Sequence, residues 1–254
     1  MSRPRMSVCI PVYDMNGNGA AYLQPALESL ASQRFEDFEV IVSDQSNTSD
    51  IEDMCAAYAY RLPLKYVTFR HGPMQGAANC NNAMRHARGE ILKVLFQDDY
   101  LCDTSALTQV ASAFDNPATK WALMGSAVTR DMRTLTDPMV PRYTSRIRYG
   151  WNTISGPSVI AIEAGHAIWF DENLIWLMDA DLYHTCYEKL GEPAILPDTL
   201  VVNRIHEGQV SQNMDRSTCR SEVMYAARKQ GLIRAPGDLS AFLWQYLKHV
   251  RPLG

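Results

Sequence analysis

Ser7-Val8-Cys9-Ile10-Pro11-Val12-Tyr13 is short, rich in β-branched residues and free of polar alternation, the pattern of a strand covered on both faces within a parallel sheet. Working outward, Asn16-Gly17-Asn18-Gly19 reads as a turn. Tyr22, Leu23, Ala26, Leu27 and Leu30 then recur at helical spacing, and Phe38-Glu39-Val40-Ile41-Val42 reads as a second strand. This is a β-α-β unit. The alternation continues through a helix around Ile51 to Tyr60, a strand Leu64 to Phe69, a helix around Ala77 to Ala87 and a strand Ile91 to Phe96. Strands separated by helices imply an α/β fold on a mainly parallel sheet. A further helix starts near Asp103 or Thr104, both natural N-caps, with Leu107, Val110, Ala111 and Phe114 on one face.

Beyond this point the regularity fades. From Trp121 to Tyr149 short strand-like pieces mix with Pro138, Pro141 and several arginines, which reads as an insertion or second lobe. A helix follows Trp176 with Leu182, Cys186 and Leu190 on its buried face, then a strand-like Thr199 to Asn203. After Pro236-Gly237, the residues Leu239, Phe242, Leu243, Tyr246, Leu247 and Val250 make an apolar stripe. Docking on the body is the ordinary use of such a stripe; peripheral membrane contact or a homodimer through this helix is the alternative. The expected organisation is one body over residues 1–205, its halves meeting near residue 102, with 206–254 as a helical extension packed on it.

Composition narrows the function classes. The chain has 254 residues, 46% hydrophobic and 20% charged, an ordinary folded balance. Lys and Arg number 24 against 28 Asp and Glu, a net charge of -4, so no general positive field draws nucleic acid. Six scattered cysteines include no C-x-x-C pair, which argues for reduced, packed thiols rather than a zinc cage or disulfide scaffold. No apolar run approaches the roughly 18 residues needed to span a bilayer, so the expected setting is cytoplasmic, with membrane association through the last helix as the variant.

In an open parallel sheet, ligands bind beyond the carboxyl ends of the strands. Pro11, Tyr13 and Asp14 follow the first strand, Asp44 the second, and Gln97, Asp98, Asp99 and Tyr100 the fourth. Tyr13 suits stacking on a flat ring, and Asp44 suits a base N–H, although Asp44 also begins good turn and helix-cap chemistry. Asp98 and Asp99 are adjacent after a buried-looking strand and would repel each other unless a cation compensates; a divalent ion with oxygen ligands does so. The plainer alternative is a loop start, with Asp103 capping the next helix. Asp179 and Asp181 sit at a helix start, where acids suit the dipole and one of them suits general-base work. Trp151, Trp169 and Trp176 are either core residues or flat apolar faces for a ligand.

Taken in order, Ile10-Pro11-Val12-Tyr13, Val42-Ser43-Asp44-Gln45-Ser46, Gly76 through Gly89-Glu90, Phe96-Gln97-Asp98-Asp99 and Met178-Asp179-Ala180-Asp181-Leu182 resemble the family 2 glycosyltransferases of GT-A fold, over about four fifths of the chain. The resemblance implies a GT-A-type mixed sheet and transfer of a sugar from a nucleotide-diphosphate sugar, a UDP-sugar favoured, to a glycan, lipid-linked or other hydroxyl acceptor with inversion. It implies Pro11, Tyr13 and Asp44 at the nucleoside, with Asp98 at the ribose or a metal-bound water; Asn81 suits contact with the diphosphate or ribose, or an ordinary surface or capping role. It further implies Asp99 with His206 on Mn²⁺ or Mg²⁺, Arg204 on phosphate, Asp179 as catalytic base and Asp181 in support. Phe96 stands where many members carry an aspartate, Met178 where glutamate is usual, Cys80 where arginine is frequent and Asp14 where asparagine is usual.

Three rival readings are distinguishable from the residues. A catalytically silent nucleotide-sugar binder or scaffold is favoured by Phe96 and Met178 and opposed by Asp44, Asp99 and Asp179. A nucleotidyltransferase would carry a basic Gly-rich loop where Asp14 to Gly19 has neither Lys nor Arg. A dehydrogenase would carry Gly-x-Gly-x-x-Gly after the first strand.

Overall fold

A computed structural model describes residues 3–209, 214–231 and 237–248. Strands β1 (Met6–Val12), β2 (Phe38–Asp44), β3 (Leu64–Thr68) and β4 (Ile91–Val94) lie parallel in the order β3-β2-β1-β4. Every residue of β1 and β2 is buried, as their unbroken apolar runs require. The connections are α1 (Gly19–Ala31), α2 (Asp50–Tyr58) and α3 (Gly76–His86). Helix α1 packs on α2, and α3 on β1 and β2. The register aligns the strand ends: Val12 lies level with Asp44, and Asp44 with Thr68, so all three finish along one edge.

The second half is more regular than its sequence. After β5 (Tyr100–Leu101) and α4 (Ala106–Ala113), β6 (Trp121–Thr129) is a nine-residue and almost wholly buried strand where an irregular insertion was expected. The chain continues through β7 (Thr136–Met139), a 3₁₀ turn Ser145–Tyr149, a second turn Pro157–Val159 and β8 (Ile160–Glu163). Next come α5 (Met178–Leu190) and β9 (Ala194–Arg204). The sheet runs on from β4 as β8-β6-β9-β5, with β7 beside β6. It changes direction at β8, which is antiparallel to both neighbours, while β6 and β9 are parallel. Pro197 interrupts the pattern of β9 and lies where its pairing with β6 shifts register at Gly125, which is why only its last residues read as strand.

Two helices close the structure, α6 (Arg216–Gln230) and α7 (Asp238–Lys248), packed on each other and on the turn Ser145–Tyr149. A fully buried ion pair, Arg148 Nη2 to Asp238 Oδ2 at 2.5 Å, pins the start of α7. This fixes the helix rotation so that Ala241, Phe242 and Gln245 face inward. The apolar stripe therefore docks through Phe242 and Tyr246, while Leu239, Leu243 and Leu247 stay 43%, 44% and 48% exposed, a correction to the expected docking face. Val250 lies outside the described residues. Among the described residues no helix is long and apolar enough to cross a membrane. All six cysteines are free, as expected, and five are buried.

Candidate active site

At the end of β1 the chain turns sharply. Met15, Asn16 and Gly17 take positive φ, and a Cβ on Gly19 would stand 2.3 Å from the Tyr13 carbonyl, so only glycine lets α1 start that close to the strand. Gln97 holds Tyr13 from both sides, accepting from its N–H at 2.7 Å and donating to its carbonyl at 3.1 Å. The Tyr13 ring is left 37% exposed beside the strand ends. Burial, and then the Asp98 carboxylate, raise its phenol. Pro11 is interior to β1 opposite Ser43, so of that pair only Tyr13 opens to the site. Asp44 is fully buried, accepting from the Ser46 N–H at 2.8 Å and from the Tyr66 hydroxyl at 2.7 Å. Each oxygen keeps a lone pair for one more donor.

The adjacent acids part company. Asp99 turns inward: Ser158 Oγ (2.5 Å) and Asn203 Nδ2 (2.9 Å) donate to its Oδ2, and the Arg204 N–H (3.2 Å) to its Oδ1. Burial, then the charge of Asp98, raise its pKa. Beneath it the fully buried Lys93 ammonium donates to the carbonyls of Val94 and Ser158, and burial lowers its pKa. Asp98 is the acid that meets His206, with Nε2 at 3.0 Å from Oδ2. Of the expected pair Asp99 and His206, β9 takes up Asp99 as a hydrogen-bond acceptor, so the acid beside His206 is Asp98.

The donor set of Asp98 and His206 fits a divalent cation. Among the described residues no third His, Cys, Asp or Glu joins them, but Mg²⁺ and Mn²⁺ characteristically take one or two protein ligands and fill the remaining positions with phosphate oxygens and water. The imidazole is already oriented, stacked on Tyr22 with centroids 4.1 Å apart, and its buried Nδ1 has no hydrogen-bond partner. The Arg204 guanidinium lies over the same Tyr22 ring at 4.7 Å. Tyr22, read in the sequence as part of the core stripe of α1, is the common support of Arg204 and His206.

Asp179 lies in the first turn of α5. Its Oδ2 accepts from Asn152 Nδ2 at 2.9 Å, and its Oδ1 from the Ala180 N–H at 2.7 Å. Burial, with Glu222 adding like charge, raises it to about 6. A hydrogen-bond path joins it to Asp99. Asn152 also donates to the Ser155 carbonyl, Ser155 Oγ to Asn203 Oδ1, and Asn203 to Asp99, each at 2.9 Å. The Asp98–Asp99 end and the Asp179 end therefore share one rigid polar frame.

Two expected site residues are drawn elsewhere. Asp181 is buried against α6, accepting from Lys229 Nζ at 2.8 Å and Gln230 Nε2 at 2.5 Å. Residues two apart on a helix point to different sides, so it cannot share the face of Asp179. Asn81 donates to the Phe170 carbonyl and to Glu172, and accepts from the Phe170 N–H, each at 2.9 Å, which fastens α3 to the segment before α5. Trp176 packs on the core, whereas Trp151 and Trp169 are at the surface, Trp169 beneath Arg85 and Trp151 against Trp244. Gln97, Tyr66, Asn152, Ser158 and Asn203 went unassigned in the sequence. Only Gln97, inside the stretch Phe96-Gln97-Asp98-Asp99, and Asn203, at the end of the strand-like Thr199 to Asn203, carried a local signal.

Comparison with known proteins places this geometry. Validoxylamine A glucosyltransferase of Streptomyces hygroscopicus subsp. jinggangensis (strain 5008) is 33% identical over 132 residues, 51% of this chain and 30% of that protein. The poly(ribitol-phosphate) beta-N-acetylglucosaminyltransferase TarS of Staphylococcus aureus (strain Mu50 / ATCC 700699) is 28% identical over 204 residues, 76% of this chain and 34% of that protein. The chain thus spans about a third of the length of these relatives. The crystal structure of S. aureus TarS 1-349 in complex with UDP-GlcNAc superposes with a TM-score of 0.72 at 20% identity, covering 96% of this chain and 72% of that one. The mannosyltransferase PcManGT from Pyrobaculum calidifontis, in complex with GDP-Man and Mn²⁺, gives 0.65 at 17%, covering 98% and 74%. The GT-A architecture expected from the sequence is the one found. Residues 7–171, more than half of the chain, match the family model described as Glycosyl transferase family 2, and the protein belongs to that family.

Proposed function

We propose that the chain transfers a sugar from a nucleotide-diphosphate sugar, a UDP-sugar, to an acceptor hydroxyl with inversion, using Asp179 as general base. The observation that carries this is the state of Asp179: a part-buried carboxylate at about 6, held from two sides and joined through Asn152, Ser155 and Asn203 to Asp99. A base of that strength is mostly ionised at neutral pH and still accepts a proton from a hydroxyl that becomes acidic as it attacks. One base on one side of the sugar carbon makes a single displacement, hence inversion. In support of UDP, the TarS structure holds UDP-GlcNAc; PcManGT holds GDP-Man with Mn²⁺, which supports a divalent ion.

In this mechanism Tyr13 and Asp44 bind the nucleoside, the ring by stacking and the carboxylate by accepting a base N–H. Asp98 and His206 would hold the cation, which when bound neutralises the leaving diphosphate. Arg204, fixed over Tyr22, adds positive charge on the same side. Asn152 orients Asp179 toward the incoming hydroxyl. The acceptor is a glycan, a lipid-linked sugar or another hydroxyl compound.

Asp179→Asn is the decisive variant. Binding of UDP with Mn²⁺ stays at the wild-type level by calorimetry, while transfer falls by about 10³-fold or more, the scale of losing a general base together with its orientation. A variant that turns over normally removes Asp179 from this role. One observation favours a silent nucleotide-sugar binder instead: a Cβ at Gly76 would lie 3.6 Å from Met178 and 3.7 Å from Phe96, so the two apolar departures gather at one point beside the start of α3. Wild-type protein that binds UDP but releases none from any UDP-sugar would establish that reading.

A further inference from the structure

Helix α5 has no capping side chain before it, although within its first turn Asp179 Oδ1 accepts the Ala180 N–H. The preceding residues Ile175, Trp176 and Leu177 carry no side chain able to accept from its free N–H groups, and Leu177, at the cap position, makes no side-chain bond. The acceptor comes from the other side of the structure. Glu222, in the middle of α6 and 5% exposed, takes the N–H of Ile175 on Oε1 at 2.9 Å, and those of Trp176 and Leu177 on Oε2 at 3.0 and 2.8 Å. Two residues later comes Asp179.

We propose that Glu222 is a positioning residue for Asp179: it clamps the entry of α5 and so sets where the base carboxylate stands. The inference rests on the reading of Asp179 as the base, and it makes α6, beyond the residues matched by the family model, a working part of the site. Three charge-assisted bonds to consecutive amides leave the entry segment little freedom. Asn152 holds only the tip of Asp179, so the backbone placement falls to Glu222. The clamp also sets the charge around the base. Glu222 faces Asp179 from α6 and Tyr183 faces it from α5, so an ionised Glu222 makes Asp179 harder to ionise.

The test uses the full chain with Glu222→Gln, nearly isosteric, and Glu222→Asp, which keeps the charge on a shorter arm. Hydrogen exchange at amides 175–177 and carboxyl titration of Asp179 by ¹³C NMR need no turnover, so they stand apart from any failure of the transfer reading. Glu222→Gln should speed exchange at those amides and move the Asp179 midpoint down. UDP release from UDP-GlcNAc, the probe donor, should fall by about 100-fold in kcat, with the affinity for UDP and Mn²⁺ unchanged. Glu222→Asp should recover the midpoint and part of the rate. Unchanged exchange and midpoint in Glu222→Gln would overturn the proposal. So would loss of UDP binding in step with every other property, because that is general destabilisation.

Discussion

Asp179 shows how one environment gives a carboxylate both strength and placement. Burial raises its pKa from the ordinary carboxylate range to about 6, and two measurable consequences attach to that shift. In the proposed mechanism the ionised form is the active one, so the transfer rate should climb as pH rises through about 6 and level off above it; a pH–rate profile checks this. Because the folded state holds this proton more tightly than the unfolded chain, folding loses stability as pH rises from the ordinary carboxylate range to about 6. Asp179→Asn should therefore stabilise the fold at pH 7 by on the order of 1 kcal/mol once solvent screening is allowed for, and not at about pH 4, a difference that melting curves at the two pH values check. Asp98 and Asp99 make the complementary point. Adjacent in sequence, they face different partners, one His206 and the other Ser158 with Asn203.

At the scale of elements, α5 is where local rules and tertiary structure diverge. It starts on Trp176-Leu177-Met178, a poor N-terminus by propensity, and is completed by Glu222 from α6. The same helix anchors its other face through Asp181 to Lys229 and Gln230. Helix α7 is placed by Arg148 and Asp238 in the same manner. Gly150, at φ 91°, lets the chain pass under it; a Cβ there would meet Trp176 at 2.8 Å and Gln245 at 3.3 Å. Asp238→Ala should cost about 3–5 kcal/mol in a urea titration, because Arg148 is left buried and uncompensated, whereas the double change Arg148→Met with Asp238→Leu should recover most of that.

Over the whole molecule, the reversal of strand direction at β8 folds the second half back so that the end of β9 meets the end of β4. The ends of β1 and β2 and the start of α5, which the proposed mechanism gives to the nucleoside and the base, belong to one body. Ligands that bind only the native state stabilise it. UDP with Mn²⁺ at about 100 times its Kd should add about 2.7 kcal/mol, a rise of several degrees in melting temperature for a chain of this size. EDTA should remove most of that rise, and Asp98→Asn or His206→Ala should remove it as EDTA does.

The sequence by itself determined the β-α-β half, because buried parallel strands are unbroken apolar runs and the helices between them carry a 3.6-residue stripe, both local properties. It also determined Tyr13, Asp44, Asp98 and Asp179 as site candidates, since strand ends and helix starts can be located from those runs. Only the tertiary structure decided the regular strand β6, the different partners of Asp98 and Asp99, the hydrogen bonds that hold Asn81 and Asp181, and the contacts that Asn152 makes with Asp179 and Glu222 with the segment before it. These depend on which side chains from distant segments satisfy a buried polar group, and a hydrogen bond spanning 27 or 45 residues leaves no periodic trace along the chain.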